Sequence, residues 1–230
     1  MKIAGLTKTT LLDYPAHVAA TVFTAGCNFR CPFCHNSDLV LGNISEAGLI
    51  DEKEIFAFLH KRKNVLAGLC ISGGEPTIQA DLVEFIRMVK EIGYLVKLDT
   101  NGYQPDVLDV LINERLLDYI AMDIKNTKVK YPLTCDMENI SVDKIVASVN
   151  IIKESGIPHE FRTTVVKELH TEEDLLKIAD WLSLSDWYLQ PFVDNEKVMK
   201  AGYTSYSDAE IITIREMLVA QGYPVKIRAI

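Results

Sequence analysis

Three cysteines stand within eight residues of one another, in the segment Ala25-Gly26-Cys27-Asn28-Phe29-Arg30-Cys31-Pro32-Phe33-Cys34-His35-Asn36. Thiolates crowded at C-x3-C-x2-C spacing point to metal–sulfur chemistry. Three of them can hold three irons of a [4Fe–4S] cubane, leaving the fourth iron an open position for a small molecule, whereas a purely structural cluster takes four cysteines. The competing reading is zinc, whose structural sites want four ligands. His35 is the one nearby candidate for a fourth, and its adjacency to Cys34 makes joint tetrahedral ligation awkward. Cys70 lies inside an apolar run and reads as a core residue, and Cys135 stands alone.

Further polar residues recur where apolar runs end. Ser72-Gly73-Gly74-Glu75-Pro76 pairs two glycines, which permit positive φ and a close backbone approach, with an acidic acceptor. Asp99-Thr100-Asn101-Gly102 and Asp123-Ile124-Lys125 close two later runs, and Arg162-Thr163-Thr164-Val165 lies in another. Asp123 and Lys125 are two apart, so on a strand both side chains point to one face. Buried charge is costly unless paired or bound to a ligand; the plainer reading is a surface ion pair at a fraying strand end. An arginine such as Arg162 offers a planar fork for a carboxylate. His17, His60, His159 and His170 follow no ligand spacing and read as surface or structural residues.

These residues need a frame to converge. Short apolar runs rich in β-branched and aromatic residues are expected as strands at 19–24, 65–71, 94–98, 117–124, 159–166 and 187–192. Helical spacing joins Leu82, Phe85, Ile86 and Val89, then Val142, Ile145, Val146 and Val149, then Leu175, Ile178, Ala179 and Leu182. Ser207 with Glu210, Thr171 before three acidic residues, and Asp51 before Glu54 are helix-start signals. About six β-α units in succession imply an α/β fold with a parallel sheet and right-handed crossovers. That number is too small for a complete eight-fold barrel, so a partial barrel or an open sheet is expected, with ligands at the C-terminal strand ends. No Gly, Pro or Ser linker interrupts the pattern. One domain spanning 1–230 is expected, with 1–19 as its N-terminal lead-in.

Composition narrows the class. The 230 residues are 48% hydrophobic and 24% charged, ordinary for a globular protein. A formal net charge of −8 disfavours binding to phosphate backbones. No apolar run approaches the ~18 residues needed to span a bilayer, and the start lacks a signal-peptide pattern. Five cysteines, an odd number, argue for a reducing compartment and against a disulfide framework. The expected location is the cytoplasm, away from membrane and nucleic acid.

C-x3-C-x2-C with an aromatic residue, Phe33, before the last cysteine resembles the radical S-adenosylmethionine superfamily. The resemblance implies a partial (β/α)6 TIM-like barrel and a [4Fe–4S] cluster on Cys27, Cys31 and Cys34. The cluster's open iron would chelate S-adenosylmethionine, and reductive cleavage would give methionine and a 5′-deoxyadenosyl radical. The Ser72-Gly73-Gly74-Glu75 segment resembles the motif that binds the cofactor's amino group. The Asp-Thr-Asn-Gly and Asp-x-Lys segments resemble those of glycyl-radical-enzyme activating enzymes. There Asp99, Thr100 and Asp123 would hold a monovalent cation and Lys125 would approach the cofactor. The same resemblance places Arg162 near the cofactor, Thr164 on its adenine side, and Gln190 where the family carries a polar residue such as histidine.

Leu11-Leu12-Asp13-Tyr14-Pro15 together with the Cys-His-Asn ending is similar to anaerobic ribonucleoside-triphosphate reductase activating proteins. A glycyl radical enzyme as protein substrate, and flavodoxin or ferredoxin as electron donor, would follow. The alternatives are a small-metabolite enzyme of the 7-carboxy-7-deazaguanine synthase type and a non-enzymatic metal-binding module.

Overall fold

A computed structural model describes residues 1–41 and 44–228. Eight strands form one sheet in sequence order: β1 (Ile3–Thr10), β2 (Ala19–Thr24), β3 (Gly68–Gly73), β4 (Leu95–Thr100), β5 (Tyr119–Asp123), β6 (His159–Val165), β7 (Trp187–Pro191) and β8 (Val225–Ile227). Strands β2 to β8 are parallel, and β1 pairs antiparallel with β2. β1 and β8 are the two edges, so the sheet curls as a partial barrel of α/β type. The intervening helices are α1 (Ser37–Leu41), α2 (Glu52–Arg62), α3 (Leu82–Ile92), α4 (Pro105–Asn113), α5 (Tyr131–Cys135), α6 (Val142–Glu154), α7 (Glu172–Leu182) and α8 (Asp208–Ala220).

The six strands expected from apolar runs are β2 to β7, each within a few residues of its expected span. Two strands were not expected. The lead-in contains β1, whose alternation is masked by three threonines and a lysine in a stretch of partly exposed residues. β8 is only three residues long. It gains an anchor just beyond its end, where Arg228 pairs at 2.6 Å with Glu160, a carboxylate fully buried on β6. β3 begins three residues later than its apolar run, because Val65 and Leu66 close the turn after α2 through backbone bonds to Arg62.

The helix signals correspond to caps. The Asp51 side chain accepts from the Lys53 N–H, while Thr171 with Asp174 and Ser207 with Glu210 form reciprocal capping boxes. Leu82, Phe85, Ile86 and Val89 of α3 are buried, as are Leu175, Ile178, Ala179 and Leu182 of α7. On α6 the buried stripe is Ile145, Ser148, Val149 and Ile152, so Val142 and Val146 flank it. These apolar faces cover the outside of the sheet and leave its C-terminal rim to the polar motifs. No helix among the described residues is long and apolar enough to cross a membrane.

Candidate active site

The cysteine loop leaves β2 at Thr24 and is tied down on several sides. Gly26 N–H donates to the Leu39 carbonyl at 2.7 Å, and Arg30 N–H donates to the Cys135 carbonyl at 3.0 Å. Met199 N–H and Lys200 N–H, from the segment after β7, donate to the carbonyls of Cys34 and Pro32. The Arg30 guanidinium folds back on the carbonyls of Cys27 and Phe29. The loop is also locked to the glycine turn after β3. Gly74 N–H donates to the Thr24 carbonyl at 2.9 Å and Glu75 N–H to the Gly26 carbonyl at 2.8 Å.

The two glycines are required here by close approach. A Cβ on Gly74 would lie 1.9 Å from the Gly26 carbonyl oxygen, and one on Gly73, at φ +121°, would lie 2.3 Å from the Thr24 nitrogen. Part of the close approach that the paired glycines permit is thus backbone against backbone.

One cleft at the C-terminal strand ends gathers the motifs. Its walls include Cys27, Cys31, Phe33 and Cys34, then Ser72, Gly73, Gly74 and Glu75, then Asp99, Thr100, Asp123, Lys125, Arg162 and Thr164. Gln190 is paired in register with Thr164 but does not line the cleft, which is confined to the ends of β2 to β6. His35 lines it too, and Phe29, Asn36, Val40 and Asn101 do so without having been given a role.

Burial and the neighbouring Glu75 push the Cys27 thiol up to about 12. Burial also raises Cys34. Cys31 goes the other way, lowered by a hydrogen bond from the Cys135 thiol. His35, the zinc reading's fourth ligand, instead meets Asn195 at 3.2 Å and stacks edge-on against Phe192. Among the described residues no three His, Cys, Asp or Glu side chains converge on a position for one metal ion. A cubane, which meets each thiolate through a different iron, does not need that convergence, so the three-thiol donor set fits a cluster.

Glu75 is 1% exposed and anchors the centre of the site. One carboxylate oxygen accepts from Thr77 N–H, Thr77 Oγ1 and Thr100 Oγ1, and the other from Asn101 N–H at 2.6 Å. Burial raises this acid despite those four bonds, which leaves an electrostatic demand that a cationic group in the cleft would relieve.

Beside it runs a row of alternating charges. Lys97 pairs with Asp99; Asp99 accepts from Arg162 Nη1 at 3.1 Å; Arg162 Nε donates to Asp123 at 2.8 Å; and Asp123 pairs with Lys125 at 3.0 Å. Burial alone would raise both aspartates, but the charge of Arg162 and the adjoining lysines holds them below the ordinary carboxylate range. The pair at 123 and 125 is therefore part of a network, not a fraying surface pair. Lys97, 1% exposed and 3.8 Å from Cys70 Sγ, was missed. The i, i+2 argument that singled out Asp123 and Lys125 applies equally to Lys97 and Asp99 on β4. His170 is fully buried and bonds the Lys125 carbonyl at 2.8 Å, a structural role.

A sequence profile described as the Radical SAM superfamily matches residues 21–182. The protein MJ1227 of Methanocaldococcus jannaschii, provisionally named a glycyl-radical enzyme activating enzyme, is 38% identical over 81% of this chain and 77% of its own length. The pyruvate formate-lyase-activating enzyme of Streptococcus mutans is 28% identical over 79% of this chain and 73% of its own. Among solved structures, a radical SAM methyltransferase from Sphaerobacter thermophilus superposes with a TM-score of 0.72 at 16% identity. It covers 94% of this chain and 67% of that one, and supports the fold alone. Three cysteines in a loop clamped to a glycine–glutamate turn, on a partial parallel barrel and under a profile match over most of the chain, lead to one conclusion: this protein is a member of the radical SAM superfamily.

Proposed function

We propose that this chain, as a single core domain, activates a glycyl radical enzyme by abstracting hydrogen from a backbone glycine of that partner. The observation that carries the reading is the convergence of the cysteine loop, Glu75 and the Asp99–Arg162–Asp123–Lys125 row on one cleft. Similarity to MJ1227 and to the Streptococcus mutans activating enzyme supports the choice of substrate class.

Cys27, Cys31 and Cys34 would hold a [4Fe–4S] cluster, the group that the family implies. When bound, the cluster supplies one electron that cleaves S-adenosylmethionine to methionine and a 5′-deoxyadenosyl radical. The chain's own residues position the cofactor. Glu75 and the turn at Ser72, Gly73 and Gly74 meet its amino group. Lys125 and Arg162 meet its carboxylate and ribose, while Phe33 and Thr164 bound the cleft beside it. A monovalent cation on Asp99, Thr100 and Asp123 would share the carboxylates with Arg162 and the Thr100 hydroxyl with Glu75. The acting compartment is the cytoplasm, with flavodoxin or ferredoxin as donor and an anaerobic ribonucleotide reductase as one candidate partner.

Anaerobic reconstitution with iron and sulfide analysis tests the first half. Wild type, Cys70→Ser and Cys135→Ala load the cluster, whereas Cys27→Ala, Cys31→Ala and Cys34→Ala do not. About one zinc per chain and no sulfide, the stoichiometry of a four-ligand site, overturns the cluster. The second half is tested by mixing the reduced protein with glycyl radical enzymes of the same genome and recording the glycyl doublet by electron paramagnetic resonance. Silence with every partner, alongside intact cofactor cleavage, would move the assignment to a small metabolite.

A further inference from the structure

Asn101 follows Thr100 at the end of β4, and Asn28 follows Cys27 in the cysteine loop. The two amides meet across 73 residues of sequence: Asn101 Nδ2 donates to Asn28 Oδ1 at 2.7 Å. The same nitrogen lies 3.9 Å from Cys27 Sγ. Its orientation is fixed, because Asn101 Oδ1 accepts from Tyr103 N–H at 3.0 Å, so the donor end must face the loop. The backbone is fixed as well, by the bond from Asn101 N–H to Glu75.

Cys27 Sγ also accepts from Phe29 N–H at 3.4 Å. Among the described residues, Asn28 Nδ2 is buried and has no hydrogen-bond partner. A buried donor left unpaired costs about 1–3 kcal/mol, and a sulfur-rich anionic group beside the loop is the kind of acceptor that would satisfy it.

Resting on the proposed cluster, we infer that the Asn101–Asn28 pair is a positioning device for the Cys27 sulfur and sets how readily the bound cluster takes its electron. A thiolate sulfur is a stronger acceptor than a thiol, so cluster binding tightens the contact from Asn101. Reduction adds electron density to the sulfurs, and hydrogen bonds to them stabilise the reduced form, one of the factors that set cluster potentials. Asn101 thus joins the acid that faces the cofactor, Glu75, to the sulfur that faces the cluster.

The test is the midpoint potential of the reconstituted protein, followed by electron paramagnetic resonance in a redox titration. Asn101→Leu keeps the shape and removes the donor; Asn101→Asp keeps the bond from Tyr103 N–H and replaces the donor by an acceptor. Both variants should retain the iron and sulfide content of wild type. Asn101→Leu should lower the equilibrium constant for reduction about tenfold, or about 59 mV for one electron. Asn101→Asp should lower it further. Full loading with an unchanged potential in both variants overturns the inference, and so does loss of the cluster in both, which would make the pair a structural clamp. Failure of the wild type to load a cluster overturns the proposed function instead.

Discussion

Replacing Arg162 by methionine removes the middle member of the charge row, and the cost can be worked from its contacts. The guanidinium makes two charge-assisted bonds, Nε to Asp123 at 2.8 Å and Nη1 to Asp99 at 3.1 Å. At about 1.5–3 kcal/mol each, their loss would cost roughly 3–6 kcal/mol. Two features pull the figure down. Lys97 and Lys125 each keep one aspartate paired, so no carboxylate is stranded. The Asp123 side chain also retains 29% exposure, so water can reach the vacated volume. The expected loss is therefore at the lower end, about 3 kcal/mol, or roughly 6–12 °C in melting temperature for a chain of this size. Arg162→Lys keeps the charge but not the fork and should fall between. Urea unfolding of the cluster-free protein is the assay, since it isolates stability from cofactor binding. A loss below about 1 kcal/mol, within the range of an exposed pair, would refute the claim that the row holds the site together.

Three further outcomes follow from the same geometry. Gly74→Ala sets a methyl against the backbone of Gly26, which no side-chain rotation relieves; thermal melting should report a loss of about 1–3 kcal/mol or more, and iron loading should drop, whereas a wild-type melt would show that the loops are not in contact. Glu75→Gln must turn its amide N–H₂ toward Asn101 N–H, because the other oxygen already accepts three bonds; relief of the buried charge offsets part of the cost, so about 1 kcal/mol of stability should be lost, together with weakened S-adenosylmethionine binding by equilibrium dialysis. Asp99 and Asp123 titrate below their unfolded value of about 3.9. Their stabilisation is therefore complete above that value and is lost as pH falls below about 4. The urea midpoint should hold steady down to about pH 4 and fall as the pH is lowered from about 4 towards 2, less steeply in Arg162→Met, where the carboxyls lie nearer their ordinary range.

Much of the protein is written in local sequence. Cysteine spacing is a property of one loop, and the apolar runs of β2 to β7 are set by residues that must be buried on both faces. The capping residues of α7 and α8 act within four positions. Asp123 and Lys125 were recognisable because charge at the end of an apolar strand needs a partner, and Glu75 because it follows two glycines where another apolar run ends. Tertiary structure decided what pairs with what. Gly74 needs to be glycine because β2 and β3 lie in register, bringing its Cα against the Gly26 carbonyl. Arg162 joins Asp99 to Asp123 only because the parallel register sets Arg162 opposite Asp123 and Asp99 opposite Ala121, two positions back on β5. Lys97 is silent until β4 is closed between its neighbours, and Asn101 meets Asn28 only when the sheet curls. The physical reason is range: spacing and hydrophobic period fix interactions within a few residues, whereas a buried polar group finds its partner at whatever sequence distance the strand register dictates.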